Sequence, residues 1–243
     1  MRILLTVSYD GTDFCGYQVQ PNGRTLEEVL EKALFDLTGC QIKTTASGRT
    51  DSGVHALQQK VHFDYDGSIP PEKFTLALNS ILPSDVKVIN SKRVAQSFNA
   101  RYSAKKKTYR YSLYVGEFEQ PLVGRYKTLI PKTPDLNLMK ACAKVIEGTH
   151  DFKAFMASGS SVKDTVRTVY KIKTVKKGKF IDIYVTGSGF LYNMVRIIAG
   201  AMVSVGEGKI TVEEVQKTLD DGVRAIKIKT MPAKGLTLYS VIY

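Results

Sequence analysis

A chain of 243 residues, 43% of them hydrophobic, can bury a core in one large domain or two packed halves and is too apolar for a disordered tail. Its 35 Lys and Arg against 23 Asp and Glu leave a charge of +12, which points to a polyanionic partner bound through phosphate contacts and counterion release. Charge alone is equally compatible with a protein that is merely basic. Three cysteines, Cys15, Cys40 and Cys142, lie far apart without a CxxC pair, so they fit neither a disulfide framework nor a zinc site. They read as small core residues in a reducing compartment. His55, His62 and His150 stand in separate contexts, His62 at an ordinary strand position, and no metal site is implied. The apolar start, Met1 to Val7, turns polar at Ser8 and Asp10, too soon for a signal peptide. The stretch from Phe190 to Val205 carries Arg196 and is shorter than a membrane span. A cytoplasmic protein without a membrane partner is expected.

In chain order, a strand over Ile3–Tyr9 leads to a helix over 26–38. Thr25 with Glu28 predicts a capping box there, Leu26, Val29, Leu30, Ala33, Leu34 and Leu37 form one apolar stripe, and Gly39 stops it. A strand over Gln58–Tyr65, a short helix over Pro71–Ile81 and a strand over Val86–Val94 follow. After Tyr109–Val115, another strand, Thr133-Pro134 predicts a helix with proline in its first turn. Met139, Cys142, Ala143 and Ile146 make that helix's inner face before Gly148. Strands Val166–Val175 and Phe180–Thr186 join at a Lys176-Lys177-Gly178-Lys179 turn. A buried helix interrupted by Gly200 spans Phe190–Val205, and Thr211 with Glu214 caps a last one ending near Gly222. Each half then reads as strand, helix, strand pair and second helix. The expected architecture is α+β, two ferredoxin-like halves, 1–105 and 106–243, joined within Ser103–Thr108 and sharing an extended mixed, mostly antiparallel sheet.

The stretch with most chemical content is Gly48-Arg49-Thr50-Asp51-Ser52-Gly53-Val54-His55-Ala56, in a loop before a strand. Its glycines allow a tight turn and close backbone approach to a ligand. An arginine near a carboxylate favours the ionised form and can orient it. Such an acid suits a nucleophile, a general base or a metal ligand, and equally a turn-forming Asp beside an exposed Arg. Tyr109 fits a core strand position, with Tyr111 on the same face. Arg196, in an otherwise apolar helix, must either pair or reach the surface.

Gly48 to Ala56 resembles the GRTDxGVHA signature of TruA-type pseudouridine synthases. Tyr9-Asp10-Gly11-Thr12-Asp13-Phe14 with Gly16-Tyr17-Gln18-Val19-Gln20 resembles the family's opening YDGxxFxGxQxQ. Phe98–Ala104 with Lys107, Tyr109, Arg110 and Tyr111 resembles its FxARxSAxxKxYxY segment. Glu147–Phe152, Gly189–Arg196 and Gly235-Leu236 follow in family order, so the resemblance spans essentially the whole chain. Tyr17 departs from it, standing where many relatives carry Trp or Phe, which bears on packing or tRNA contact.

The resemblance implies the pseudouridine synthase fold and isomerisation of uridine to pseudouridine in tRNA, at positions 38–40 of the anticodon stem-loop, without cofactor or metal. It implies Asp51 as catalytic nucleophile, Tyr109 packed on the target uracil, Arg196 paired with the catalytic Asp, and Arg49 helping to extrude the nucleotide. Arg101, Lys105, Lys106, Lys107, Arg110, Lys163 and Arg167 are candidate phosphate contacts, and a homodimer is implied. Two rival readings stand beside it: a catalytically silent sheet-based RNA-binding module, and a metal-dependent nuclease or phosphotransferase using Asp10, Asp13 and Asp51.

Overall fold

The computed structural model describes every residue except Asn22, Ser160, Ser161 and Ile226. Two compact units emerge, Met1–Lys105 with Thr237–Tyr243, and Lys106–Leu236. The last seven residues, expected in the C-terminal half, thus belong to the first unit. Their strand was not legible as a separate element before Tyr243. The fold is α+β with mostly antiparallel strands.

In the first unit, β1 (Arg2–Tyr9) lies antiparallel between β3 (His55–Asp64) and β4 (Val86–Val94). The two-residue β2 (Thr45–Ala46) pairs with β3, and β10 (Leu236–Ile242) adds to β3 in parallel through Thr237 and Leu238. Helix α1 (Leu26–Thr38) buries Leu26, Leu30, Ala33 and Leu34, and Gly39 ends it in the left-handed conformation. The predicted capping box at Thr25 is absent, and backbone carbonyls serve the helix's first two N–H groups. Leu26 donates to Gly16 O (3.2 Å), Glu27 donates to Tyr17 O (2.9 Å), and Thr25 makes no side-chain cap bond. The expected helix over 71–81 is a 3-10 turn, Pro71–Lys73, followed by α2 (Phe74–Asn79). In this unit β1 and α1 are followed by the paired β2 and β3 and then by α2, the order of strand, helix, strand pair and helix, before β4.

In the second unit, β5 (Lys106–Val115), β9 (Phe180–Gly187), β8 (Val166–Lys177) and β7 (Gly148–Asp151) pair antiparallel in that spatial order, and β6 (Thr128–Ile130) runs parallel to β5. A single turn, α3 (Pro121–Gly124), precedes β6. Helix α4 (Leu136–Ile146) starts later than Pro134 suggests. Asp135 is its cap and accepts from the N–H groups of Asn137 (2.7 Å) and Leu138 (3.2 Å). Helix α5 (Met194–Gly206) is nearly all buried, and Gly200 does not interrupt it. A Cβ at Gly200 would stand 1.9 Å from Lys229 O, so the glycine instead lets segment 227–231 lie against the helix. Helix α6 (Val212–Asp221) carries the predicted capping box of Thr211 and Glu214. Of the cysteines only Cys142 is buried; Cys15 and Cys40 are exposed thiols. Among the described residues no helix is long and apolar enough to cross a membrane.

Candidate active site

Asp51 sits half-buried in the loop between β2 and β3, and the base of that loop is closed by a polar pair. Ser47 donates its hydroxyl to Gln59 Oε1 (2.6 Å), and Gln59 Nε2 donates to Gly48 O (2.7 Å). Past the loop the β1–β3 register slips between Val7 and Tyr9, a bulge of the kind that re-aims residues beside functional sites.

The loop's other side rests on residues 9–17, which run along it. Tyr17 N–H donates to Thr50 O (3.0 Å), while Gly53 N–H (3.3 Å) and the Ser52 hydroxyl (3.1 Å) both donate to Phe14 O. Gly11 N–H donates to His55 Nδ1 (3.0 Å), and the Tyr9 and Thr50 hydroxyls share a buried hydrogen bond of 2.8 Å. The Asp51 carbonyl accepts from Val54 N–H (3.1 Å), a turn closed at Gly53 with φ +77°. The residues flanking Asp51 on both sides are therefore fixed by partners some forty positions earlier. Close approach is possible because the opening segment has glycine at two places. A Cβ on Gly11 would stand 2.0 Å from Val54 O, and one on Gly16 (φ +97°) 2.9 Å from Thr50 O. Tyr17, open to a role in tRNA contact, is instead 2% exposed and packs inside.

This segment is itself clamped. The Arg24 guanidinium lies 4.1 Å over the Phe14 ring and bonds both oxygens of Asp85 (2.6 and 3.0 Å). Cys15 N–H donates to Arg24 O (2.9 Å), and Asp10 N–H donates to Asp85 O (2.9 Å). Burial pushes the Tyr9 phenol up to about 12, with hydrogen bonds to Thr50 and Gln59 acting against the shift. Tyr9 is thus a neutral hydroxyl at working pH. Arg49 is exposed and forms no ion pair with a described residue, so it does not hold Asp51.

In the second unit, Tyr109 pairs with Val185 across β5–β9 and meets Phe190 edge-on, ring centroids 5.3 Å apart. Tyr111, two residues on, is the core tyrosine: it is 0% exposed against 9% for Tyr109. Its hydroxyl bonds Thr128 Oγ1 (2.6 Å) and donates to Pro232 O (2.8 Å). Arg196 lies in the first turn of α5, where it is half-buried and does not have to snorkel out of an apolar helix. Its Nε donates to Met231 O (2.7 Å) and Nη1 to Asn193 Oδ1 (2.5 Å). Asn193, the residue before the helix, has φ +60°, the one non-glycine in the left-handed region among the described residues.

The basic candidates are scattered. Arg101, Lys105, Lys106 and Lys163 are exposed, whereas Lys107, Arg110 and Arg167 are half-buried. Lys106 Nζ lies 5.2 Å over the Tyr170 ring, and Arg167 donates to Val166 O (2.5 Å). Asp10 Oδ1 accepts from the Thr12 N–H (3.0 Å) and hydroxyl (2.6 Å), which makes Asp10 a turn-forming acid. No group of three His, Cys, Asp or Glu among the described residues is placed to hold a metal ion. Residue-level reading did not single out Tyr9, Phe14, Thr50, Arg24 or Asn193. The two glycines of 11–16 were the available signal for the first three.

A family model described as tRNA pseudouridine synthase matches residues 5–103 and 142–243. A tRNA pseudouridine synthase A of Bacillus licheniformis is 44% identical over 245 residues, covering 100% of this chain and 99% of that protein. Its counterpart in Thermoanaerobacter sp. is 44% identical over 242 residues, with 100% and 99% covered. The chain belongs to the tRNA pseudouridine synthase family, and its reaction is the isomerisation of uridine in tRNA to pseudouridine.

Proposed function

We propose that Asp51 is the catalytic nucleophile and that the targets are uridines 38–40 of the tRNA anticodon stem-loop. The observation that carries the role of Asp51 is its seat, a half-buried carboxylate whose neighbours Thr50, Ser52 and Gly53 are each tied to residues 9–17. Such fixing supplies the preorganised geometry that covalent catalysis needs. The reaction breaks the bond between C1′ and N1, turns the base, and joins C1′ to C5. The C5 proton leaves to solvent and N1 gains one, so atoms and electrons balance without a donor or oxidant.

Tyr109 stacks on the uracil while it is detached, an interaction worth about 1–3 kcal/mol. Its small residual exposure and edge contact with Phe190 suit a ring that presents one face. Arg196, oriented by Asn193 and Met231, favours the ionised form of the catalytic carboxylate. Arg49, exposed and without an ion-pair partner among the described residues, helps extrude the target nucleotide, a step costing a few kcal/mol. Arg101, Lys105, Lys107 and Arg110 contact phosphates, and the enzyme works as a cytoplasmic homodimer.

The test is tritium release from tRNA transcripts labelled at uridine C5. Release that disappears when uridines 38–40 are replaced by cytidine supports the assignment. Undiminished release from the replaced transcript would move the targets elsewhere in tRNA. Sedimentation of the free enzyme at monomer mass would remove the dimer.

A further inference from the structure

Residues 99–103 form a tight turn whose tip faces solvent while its base is pinned by side chains. Asn99 Oδ1 accepts from the N–H groups of Arg101 (2.9 Å) and Tyr102 (3.1 Å). Asn99 N–H donates to Ser103 Oγ (3.1 Å), and Ser103 N–H donates to Asn99 O (2.9 Å). Ala100, fully buried, is held from two directions. Its N–H donates to His62 Nδ1 (3.1 Å), and its carbonyl accepts from the Tyr243 hydroxyl (2.9 Å). Burial lowers the His62 pKa, keeping the ring neutral so that Nδ1 accepts. Phe98 packs on Tyr243, ring centroids 4.7 Å apart.

Such complete fixing would ordinarily serve to bury the largest side chain. Here it does the reverse, and Tyr102 is 78% exposed. The Arg101 guanidinium, also exposed, stands over one face of the ring, 5.5 Å from its centroid, which leaves the opposite face for stacking, and Lys105 follows. A rigidly presented aromatic face flanked by cations suits a base to stack on it and phosphates to meet the charges. Rigidity matters because an ordered turn loses little entropy on binding. A membrane would call for a broader apolar surface than one ring, and an acidic protein would not need a free stacking face.

We propose that Tyr102 is a tRNA-docking residue that stacks on an unpaired base or the terminal pair of a stem, with Arg101 and Lys105 on the adjacent phosphates. The proposal rests on the tRNA-modifying reading and adds a contact away from the chemistry. His55 borders the catalytic loop and His62 anchors the turn, seven residues apart on β3 (62 − 55). At about 3.3 Å per residue the two ends are separated by roughly 23 Å. Tyr102 therefore acts on binding and not on bond breaking.

The chain has no tryptophan, so Tyr102→Trp places a single fluorophore at the tip. Titrating the full-length Tyr102→Trp protein with tRNA transcript is expected to quench its emission, saturating at the concentration found by filter binding. Tyr102→Ala is expected to raise KM for tRNA about tenfold or more, with kcat and thermal stability unchanged, and Tyr102→Phe to restore KM. Unchanged emission at saturating tRNA, or wild-type KM for Tyr102→Ala, would overturn the proposal. Tritium release by the wild type, measured alongside, separates the two readings. Release without quenching removes only the docking role, whereas no binding and no release by the wild type removes both.

Discussion

The loop around Asp51 and the helix start around Arg196 each hold one charged side chain, and they are built differently. The Asp51 loop is positioned by main-chain and hydroxyl bonds to a distant segment that lies flush against it. Arg196 is held by contacts to its own guanidinium, from Asn193 three residues earlier and from Met231. The first arrangement tolerates changes of exposed side chains and does not tolerate an added Cβ. The second is tuned by individual side chains. The Asp51 loop is thus placed by a distant segment, and Arg196 by the Asn193 side chain beside it and the Met231 carbonyl.

Gly11→Ala is the hardest blow to the first arrangement, since its Cβ would meet a backbone carbonyl at 2.0 Å. Displacing the loop by even 1 Å should lower kcat about 100-fold or more, read by tritium release. Gly200→Ala attacks the second arrangement through Lys229 O, which cannot yield without moving the segment that carries Met231. It should cost about 1–3 kcal/mol in denaturant unfolding. A smaller kcat loss than for Gly11→Ala is expected, because the Asn193 bond to Arg196 does not run through that segment.

Tyr9→Phe removes one hydroxyl from the loop's buried bond to Thr50 and should cost about 1 kcal/mol, seen as a few-fold lower kcat at unchanged KM. Tyr9 has its folded pKa raised from 10.0 to about 12, so the stability it lends is complete below pH 10 and is lost as pH climbs toward 12. Wild type should therefore lose thermal stability above pH 10 more steeply than Tyr9→Phe. The smallest effect is expected from Asp64→Asn at the exposed Arg2 pair, less than about 1 kcal/mol. The Arg2 guanidinium holds the Asp64 carboxyl below its ordinary range, so this contribution is present at neutral pH and fades as pH falls through the carboxylate range.

Much of this was legible in sequence, for identifiable reasons. Helix α1 and strand β4 have strong periodicity and clear stops, and their expected limits, 26–38 and Val86–Val94, match the structure. Short elements with little pattern of their own, β6 and β7, were not foreseen, because partners across the sheet define them. The Thr25 capping box did not form, and the helix's first two N–H groups are served by carbonyls of the segment before it. Gly200 looked like a helix breaker, since a sequence cannot show the chain that will press against a glycine. Asp51 could be singled out from its motif. Residues 9–17 could be singled out as a motif too, but not their work as a cradle, because much of it is done by N–H and C=O groups that every residue carries.

Tritium release from C5-labelled tRNA by Asp51→Asn, beside filter binding of the same tRNA, tests the central claim most directly. Asn keeps the volume of the side chain and removes its charge, so the loop should fold and tRNA should bind as in the wild type. No detectable release with binding intact is expected. Release near the wild-type rate would contradict it and assign the chemistry to another residue.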